Sequence, residues 1–246
     1  MGEHGAVNTT LRIAPRFCGP PGTGNGGYSA GRIAAAVGAI AGDEAVEVTL
    51  RAPIPIERDL VVTTDPSSGG IVVRDGDRDV ATARRLPFRL ELPEPVSWEA
   101  AERVVREAPL RGFIDEHPFP GCFVCGPDRH PGDGMRLFAA RVPGTPYFAV
   151  PWEVADAGAE FVWAALDCPS SFPMYLAEDP FPGPCVLGRI AARIERVPEP
   201  GERAVVMSWR EQVDGRKLHT ASAVFAETGG VIGSARSTWI RVAPSP

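Results

Sequence analysis

An α+β fold built twice over is what the sequence predicts, on three observations. Each half carries one helix of small or apolar residues, each helix is followed by a run of strands, and two helical segments align without gaps. The first segment runs Asn25, Gly26, Gly27, Tyr28, Ser29, Ala30, Gly31, Arg32, Ile33, Ala34. The second runs Gly158, Ala159, Glu160, Phe161, Val162, Trp163, Ala164, Ala165, Leu166, Asp167. In that alignment the Gly26-Gly27 pair faces Ala159-Glu160, and Asp167 faces Ala34. Each copy holds what the other lacks, the pattern of a duplicated unit reduced to one composite site.

In the first unit, Thr10 to Phe17 reads as a short strand and Gly19 to Gly24 as a Gly/Pro loop. A helix from Tyr28 to Ile40 then carries Ala30, Gly31, Ala34, Ala35, Ala36 and Ala39, slim enough to be wrapped by a sheet. Val46 to Arg51 alternates apolar and polar with period two, a half-buried strand. Strands at Asp59 to Thr64 and Gly70 to Arg74 flank the turn Pro66-Ser67-Ser68-Gly69, and the Asp75-Gly76 turn leads into a strand from Arg78 to Leu90.

The second unit repeats the order. It has strands at Met135 to Ala140 and Tyr147 to Val150, a helix from about Ala157, then strands at Val186 to Ile194 and Ala204 to Gln212. The Asp214-Gly215 turn joins Lys217 to Ala226, and Gly229-Gly230 joins the last strand, Val231 to Val242. Between the units, Ser97 is a candidate N-cap for a helix reaching Glu107, whose charges at helical spacing read as a solvated linker. The expected organisation is an N-terminal unit over 1–95, a linker over 96–120 and a C-terminal unit over 121–246.

Composition narrows the function. At 246 residues, with 44% hydrophobic and 23% charged residues, the chain has the balance of a soluble globular protein. A formal net charge of −6 argues against a broad nucleic-acid footprint. No apolar run approaches the roughly 18 to 20 residues needed to cross a bilayer, and the first ten residues carry no basic stretch followed by an apolar core. The expectation is a cytoplasmic protein without a membrane partner. Five cysteines, an odd number spread along the chain, read as reduced thiols. Cys122 and Cys125 have zinc-ligand spacing, but no second pair follows, so no metal is expected. Cys168 as a nucleophile would need a histidine, and His219, the late candidate, reads as a satisfied polar residue in a strand.

One helix followed by antiparallel strands, given twice, resembles the hotdog fold, in which a curved sheet wraps a central helix. The resemblance covers nearly the whole chain and is to the acyl-CoA thioesterase superfamily in its double-hotdog form. Phenylacetate-type thioesterases open the helix with His-Gly-Gly and place an acid seven residues after the second glycine. Here Asn25-Gly26-Gly27 keeps the glycines, and Asp167 lies seven residues after Glu160. The segment Cys122-Phe123-Val124-Cys125-Gly126-Pro127-Asp128, followed by Pro131-Gly132-Asp133-Gly134-Met135-Arg136-Leu137-Phe138, is similar to the Cys-Gly, Asn-Pro, Gly-Leu stretch of these enzymes.

The resemblance implies hydrolysis of an acyl thioester, with coenzyme A entering as part of the substrate and no cofactor. The chemistry agrees: the first N–H groups of a helix lack intrahelical partners and lie at the positive end of its dipole, suited to a developing oxyanion. The Gly27 amide would polarise the carbonyl, Asn25 orient substrate or water, and Asp167 act as general base or nucleophile. Gly26, Tyr28, Trp163, Ser170 and Arg236 are candidate substrate contacts. Arg236 stands where some double-hotdog thioesterases place a glutamine of an Asp, Ser/Thr, Gln triad. Two other readings stay open: a ligand-binding double hotdog without catalysis, and an enoyl-CoA hydratase or dehydratase. Oligomeric state is open too, because a fused pair already satisfies the interface that single units make by dimerising.

Overall fold

The computed structural model describes residues 9–242 except 39, 66, 109, 111–113 and 182. Pro66 of the expected turn and Ala39 of the expected first helix lie outside the described residues. Strands β1 (Thr9–Leu11), β2 (Glu44–Leu50), β3 (Leu60–Thr64), β4 (Ile71–Asp75) and β5 (Arg78–Pro87) belong to the first half, with helix α1 (Gly26–Ala34). Helix α2 (Trp98–Glu107) follows. The second half carries β6 (Ala140–Arg141), β7 (Phe148–Glu153), α3 (Ala159–Asp167), the short α4 (Phe172–Tyr175), β8 (Cys185–Ile194), β9 (Arg203–Asp214), β10 (Lys217–Ala226) and β11 (Val231–Arg241).

These strands form one antiparallel sheet in the order β1-β3-β4-β5-β2-β8-β11-β10-β9-β7-β6. From the outside inward the first half runs β1-β3-β4-β5-β2 and the second, after β6, runs β7-β9-β10-β11-β8. The same connectivity is traced twice and meets at β2 and β8, where Val46 pairs Ala192 and Thr49 pairs Arg189. Matching hairpins sit in both halves. The β4–β5 and β9–β10 turns hold Gly76 and Gly215 at φ of 59° and 57°, a left-handed conformation that only glycine adopts without Cβ strain.

Helices α1 and α3 pack side by side against the sheet over one core that draws Ile33, Val48, Leu60, Phe123, Leu166 and Ile190 from both halves. They are the two nine-residue segments of the ungapped alignment, Gly26 opposite Ala159 and Ala34 opposite Asp167. The first helix ends earlier than the predicted Ile40. A 3-10 turn at Ala35–Val37 tightens it, and Gly38 at φ 80° stops it.

Three other expectations change. The Thr10 to Phe17 strand is only Thr9–Leu11, because Pro15 opens a 3-10 turn that runs to Phe17. Met135 to Ala140 does not join the sheet until Ala140, because the amides of Met135 and Leu137 donate to the carbonyls of Phe123 and Val124. Helix α2 is capped by Ser97 as predicted, with Oγ accepting from the Ala100 amide at 3.2 Å, but it is not solvated. It buries Trp98, Ala101 and Val104, and Ala101 joins Ala149, Val205, Met207, Ala223 and Phe225 in a second core. Arg203 lies over the Trp98 ring at 4.9 Å. The apolar stripe at positions 98, 101, 104 and 105 outweighs the charges between. Among the described residues no helix is long and apolar enough to cross a membrane.

Candidate active site at the junction of two helices

The C-terminal end of α3 meets the N-terminal end of α1, and glycine sets the distance. A Cβ at Gly27 would run into Asp167 Cβ and lie 2.6 Å from the Trp163 carbonyl oxygen and 3.0 Å from Ala164 Cα. One turn on, a Cβ at Gly31 would lie 2.6 Å from Glu160 Cα. Gly27 and Gly31, spaced by four on one helix face, let the two backbones approach closely.

At this contact Asp167 is buried, 1% exposed. Its Oδ2 accepts a hydrogen bond from the Gly27 amide at 2.7 Å. Its Oδ1 is buried with no hydrogen-bond partner. Burial raises the Asp167 pKa to about 7, an effect the Gly27 N–H only partly offsets and the neighbouring Cys122 adds to. A carboxylate poised there is near the optimum for a base at neutral pH. Asn25 caps α1, its Oδ1 accepting from the Tyr28 amide at 2.9 Å. Its Nδ2 is directed at two sulfurs, Cys168 Sγ at 3.4 Å and Cys122 Sγ at 3.7 Å.

Asn25, Gly26 and Asp167 line a cavity of about 430 Å³ whose wall is largely apolar, including Leu50, Ile54, Leu187 and Trp239. The size is that of a small-molecule site. Arg51 and Arg216, both exposed, also line it. So do His117, Cys122, Cys125 and Cys168. Buried His117 accepts the Phe119 amide at Nδ1 (3.1 Å), and its pKa is lowered by burial.

The expected role of Gly27 changes. Its N–H is taken by Asp167, because the bare glycine faces α3 instead of a ligand. The preceding amide, Gly26, is the first N–H of α1, a position without an intrahelical partner, and its residue lines the cavity.

The structure brings Asn25, Gly26, Gly27 and Asp167 together and sets the remaining candidates apart from the cavity. Tyr28 stacks on Phe17 at 4.0 Å inside an aromatic cluster with Phe123 and Phe161. Trp163 is buried against Gly31 between the helices. Ser170 donates to the Asp167 carbonyl at 2.8 Å and accepts from Trp239 Nε1 at 3.1 Å, bracing the end of α3. Arg236 is exposed, paired with Glu211 at 3.0 Å and donating to the Arg89 carbonyl at 2.7 Å; it ties the segment after β5 to β11. From Ala235 to Ile240 buried and more open positions alternate on β11, and Arg236 falls between Ala235 and Ser237, both buried. His219 Nδ1 lies 3.3 Å from Thr238 Oγ1, away from the cavity lining.

Sequence reasoning missed His117, in the linker, and the part played by Cys168. Its place directly after Asp167 was the available signal, since any element that delivers the acid to the cavity delivers its neighbour as well.

No protein-family model matches the chain, and no curated protein sequence does. Solved structures do. A conserved protein of unknown function with a hot dog fold from Alicyclobacillus acidocaldarius is 13% identical at a TM-score of 0.54, over 100% of this chain and 96% of that one. The tesB protein of Mycobacterium avium subs paratuberculosis is 10% identical at a TM-score of 0.59, over 95% and 91%. An acyl-CoA thioesterase II, TesB2, from Mycobacterium marinum is 12% identical at 0.52, over 89% and 90%. The fold of this chain is the double hotdog.

Proposed function

We propose that the chain hydrolyses an acyl thioester, with coenzyme A as part of the substrate, at the cavity where α1 meets α3. The observation that carries the reading is Asp167: a buried carboxylate with one oxygen held by the Gly27 N–H and the other unpartnered, on the wall of an apolar cavity. Burying such a group without a full set of partners costs stability, and a strongly perturbed carboxylate in a cleft is a mark of a functional site. The likeness in fold to a protein named an acyl-CoA thioesterase supports the same reading.

In this mechanism the Gly26 N–H and the positive end of α1 stabilise the carbonyl oxygen as it gains charge. Asp167 takes a proton from water, the water oxygen bonds to the carbonyl carbon, and the C–S bond breaks. The thiolate leaves with the proton. Asn25 holds the start of α1, and the exposed Arg51 and Arg216 offer charge to the phosphates of the carrier.

His117 on the same wall supports a second reading, water addition to an enoyl-CoA by an acid and a histidine. One experiment separates the two. Purified protein is given saturated acyl-CoAs of several chain lengths and enoyl-CoAs, following free thiol and loss of the double bond. Thiol release that falls about 100-fold or more in Asp167→Asn supports hydrolysis. Double-bond loss without thiol release supports hydration, and binding without turnover of either leaves a ligand-binding protein.

A further inference from the structure

Three of the five free cysteines converge in the structure from two distant stretches of chain. Cys122 and Cys125 come from the turn before β6, and Cys168 is the residue that follows α3. All three are buried, and their Sγ atoms lie within 4.8 Å of one another. Cys122 Sγ and Cys168 Sγ are 3.7 Å apart. A tetrahedral thiolate site with metal–sulfur bonds of about 2.3 Å needs sulfurs roughly 3.8 Å apart. The Cys122–Cys168 edge already has that length, and the other two edges are no longer than 4.8 Å.

The surroundings hold the turn and supply a donor to sulfur. The turn is closed by the Gly126 amide donating to the Cys122 carbonyl at 2.8 Å. A side chain at position 126 would lie 2.5 Å from Cys122 N and 2.5 Å from the Pro120 carbonyl oxygen, so the turn requires glycine. From the other side, Asn25 Nδ2 faces Cys168 and Cys122. An amide N–H shared by two sulfurs suits a thiolate acceptor, because a charged acceptor makes the stronger bond. It is also the kind of outer-shell partner that orients metal ligands. Three thiols cannot all close as disulfides with one another, whereas one divalent ion satisfies all three.

We propose that Cys122, Cys125 and Cys168 bind a single thiophilic divalent ion, zinc by ligand softness, as three thiolates whose fourth position opens onto the cavity. Three protein ligands and an open position are the arrangement of a zinc that meets a ligand, as distinct from a closed structural site. The sequence offered only the Cys122 and Cys125 pair; the fold supplies the third ligand. Asp167 Oδ2 is 3.9 Å from Cys168 Sγ, which sets the ion beside the acid on one wall. The inference stands apart from the hydrolase reading, since metal binding is read without turnover.

The test is a cobalt(II) titration of reduced, chelator-stripped full-length protein, followed by absorption and by elemental analysis after zinc back-addition. One equivalent of cobalt should give thiolate charge-transfer and tetrahedral ligand-field bands, both abolished by one equivalent of zinc. In Cys125→Ser and Cys168→Ser the affinity should drop by more than the roughly 10- to 100-fold that loss of an outer-shell partner costs. Cys18→Ser and Cys185→Ser should titrate like wild type. Reduced wild-type protein that shows no cobalt–thiolate absorption overturns the proposal, and that arm depends on no variant folding. Binding unchanged in a folded Cys125→Ser variant overturns it as well.

Discussion

Replacing Gly27 by alanine tests the contact on which the site is built. The new Cβ would run into Asp167 Cβ and sit 2.6 Å from the Trp163 carbonyl oxygen, where carbon contacts normally relax to about 3.5 to 4.0 Å. The helices must part by about 1 Å. Overpacking of this kind costs about 1 to 3 kcal/mol. The same movement stretches the 2.7 Å bond from the Gly27 amide to Asp167, and a hydrogen bond to a charged group contributes about 1.5 to 3 kcal/mol. Alanine returns about 1 kcal/mol of helix propensity, leaving a net loss of about 1.5 to 5 kcal/mol. Urea denaturation of Gly27→Ala, Gly31→Ala and Gly230→Ala measures it. Gly31→Ala suffers the overpacking without the lost bond and should fall between the others. At Gly230 nothing lies within 4 Å of an added Cβ, so that variant should stay within about 0.5 kcal/mol of wild type. A Gly27→Ala protein as stable as Gly230→Ala, releasing thiol at the wild-type rate, would refute the close helix contact and the role given to it.

Three further outcomes are expected. Asp167 has a folded pKa raised by burial to about 7, above the roughly 3.9 of an unfolded aspartate. The folded state then binds the extra proton, and this contribution to stability is lost as pH rises from about 4 to 7. In chelator-stripped protein, Asp167→Asn should therefore gain on wild type between pH 5 and pH 8 in paired urea titrations; a difference independent of pH contradicts it. Ser222→Ala removes the buried hydroxyl that donates to the Leu166 carbonyl at 2.7 Å, leaving a carbonyl near the end of α3 unsatisfied, and should cost about 1 to 3 kcal/mol in the same assay. Trp98→Ala should cost about 3 to 5 kcal/mol if α2 is part of the fold, as its buried face requires; a change under about 0.5 kcal/mol would return α2 to a solvated linker.

The legible part of this molecule was the part governed by repetition. The ungapped alignment of Asn25–Ala34 with Gly158–Asp167 matches the register of two equal helices, and the Asp75-Gly76 and Asp214-Gly215 turns mark two equivalent hairpins. These are local patterns, and duplication lets one copy check the other. What stayed hidden depended on which surfaces meet. Gly27 reads the same whether a ligand or a helix lies against it. Met135 to Ala140 is apolar enough to read as a strand, yet its Met135 and Leu137 amides are taken by the Phe123 and Val124 carbonyls. Cys168 carries no spacing signal toward Cys122, because the separation of 46 positions is closed by tertiary structure alone. Charges on α2 masked a narrow apolar stripe that a sheet face could cover.

The antiparallel junction of β2 with β8 joins in one sheet two halves that a single chain already connects. A protein assembled from two identical subunits cannot alter one side of its symmetry axis without altering the other. Here the equivalent of Asp167 is Ala34, and that of Gly27 is Glu160, so the second locus lacks both the carboxylate at the helix end and the glycine facing it. Linking the copies allowed the halves to specialise, one presenting an amide and the other a carboxylate. On the proposed hydrolase reading, the consequence is a stoichiometry of one substrate per polypeptide, where a symmetric pair would offer two equivalent sites.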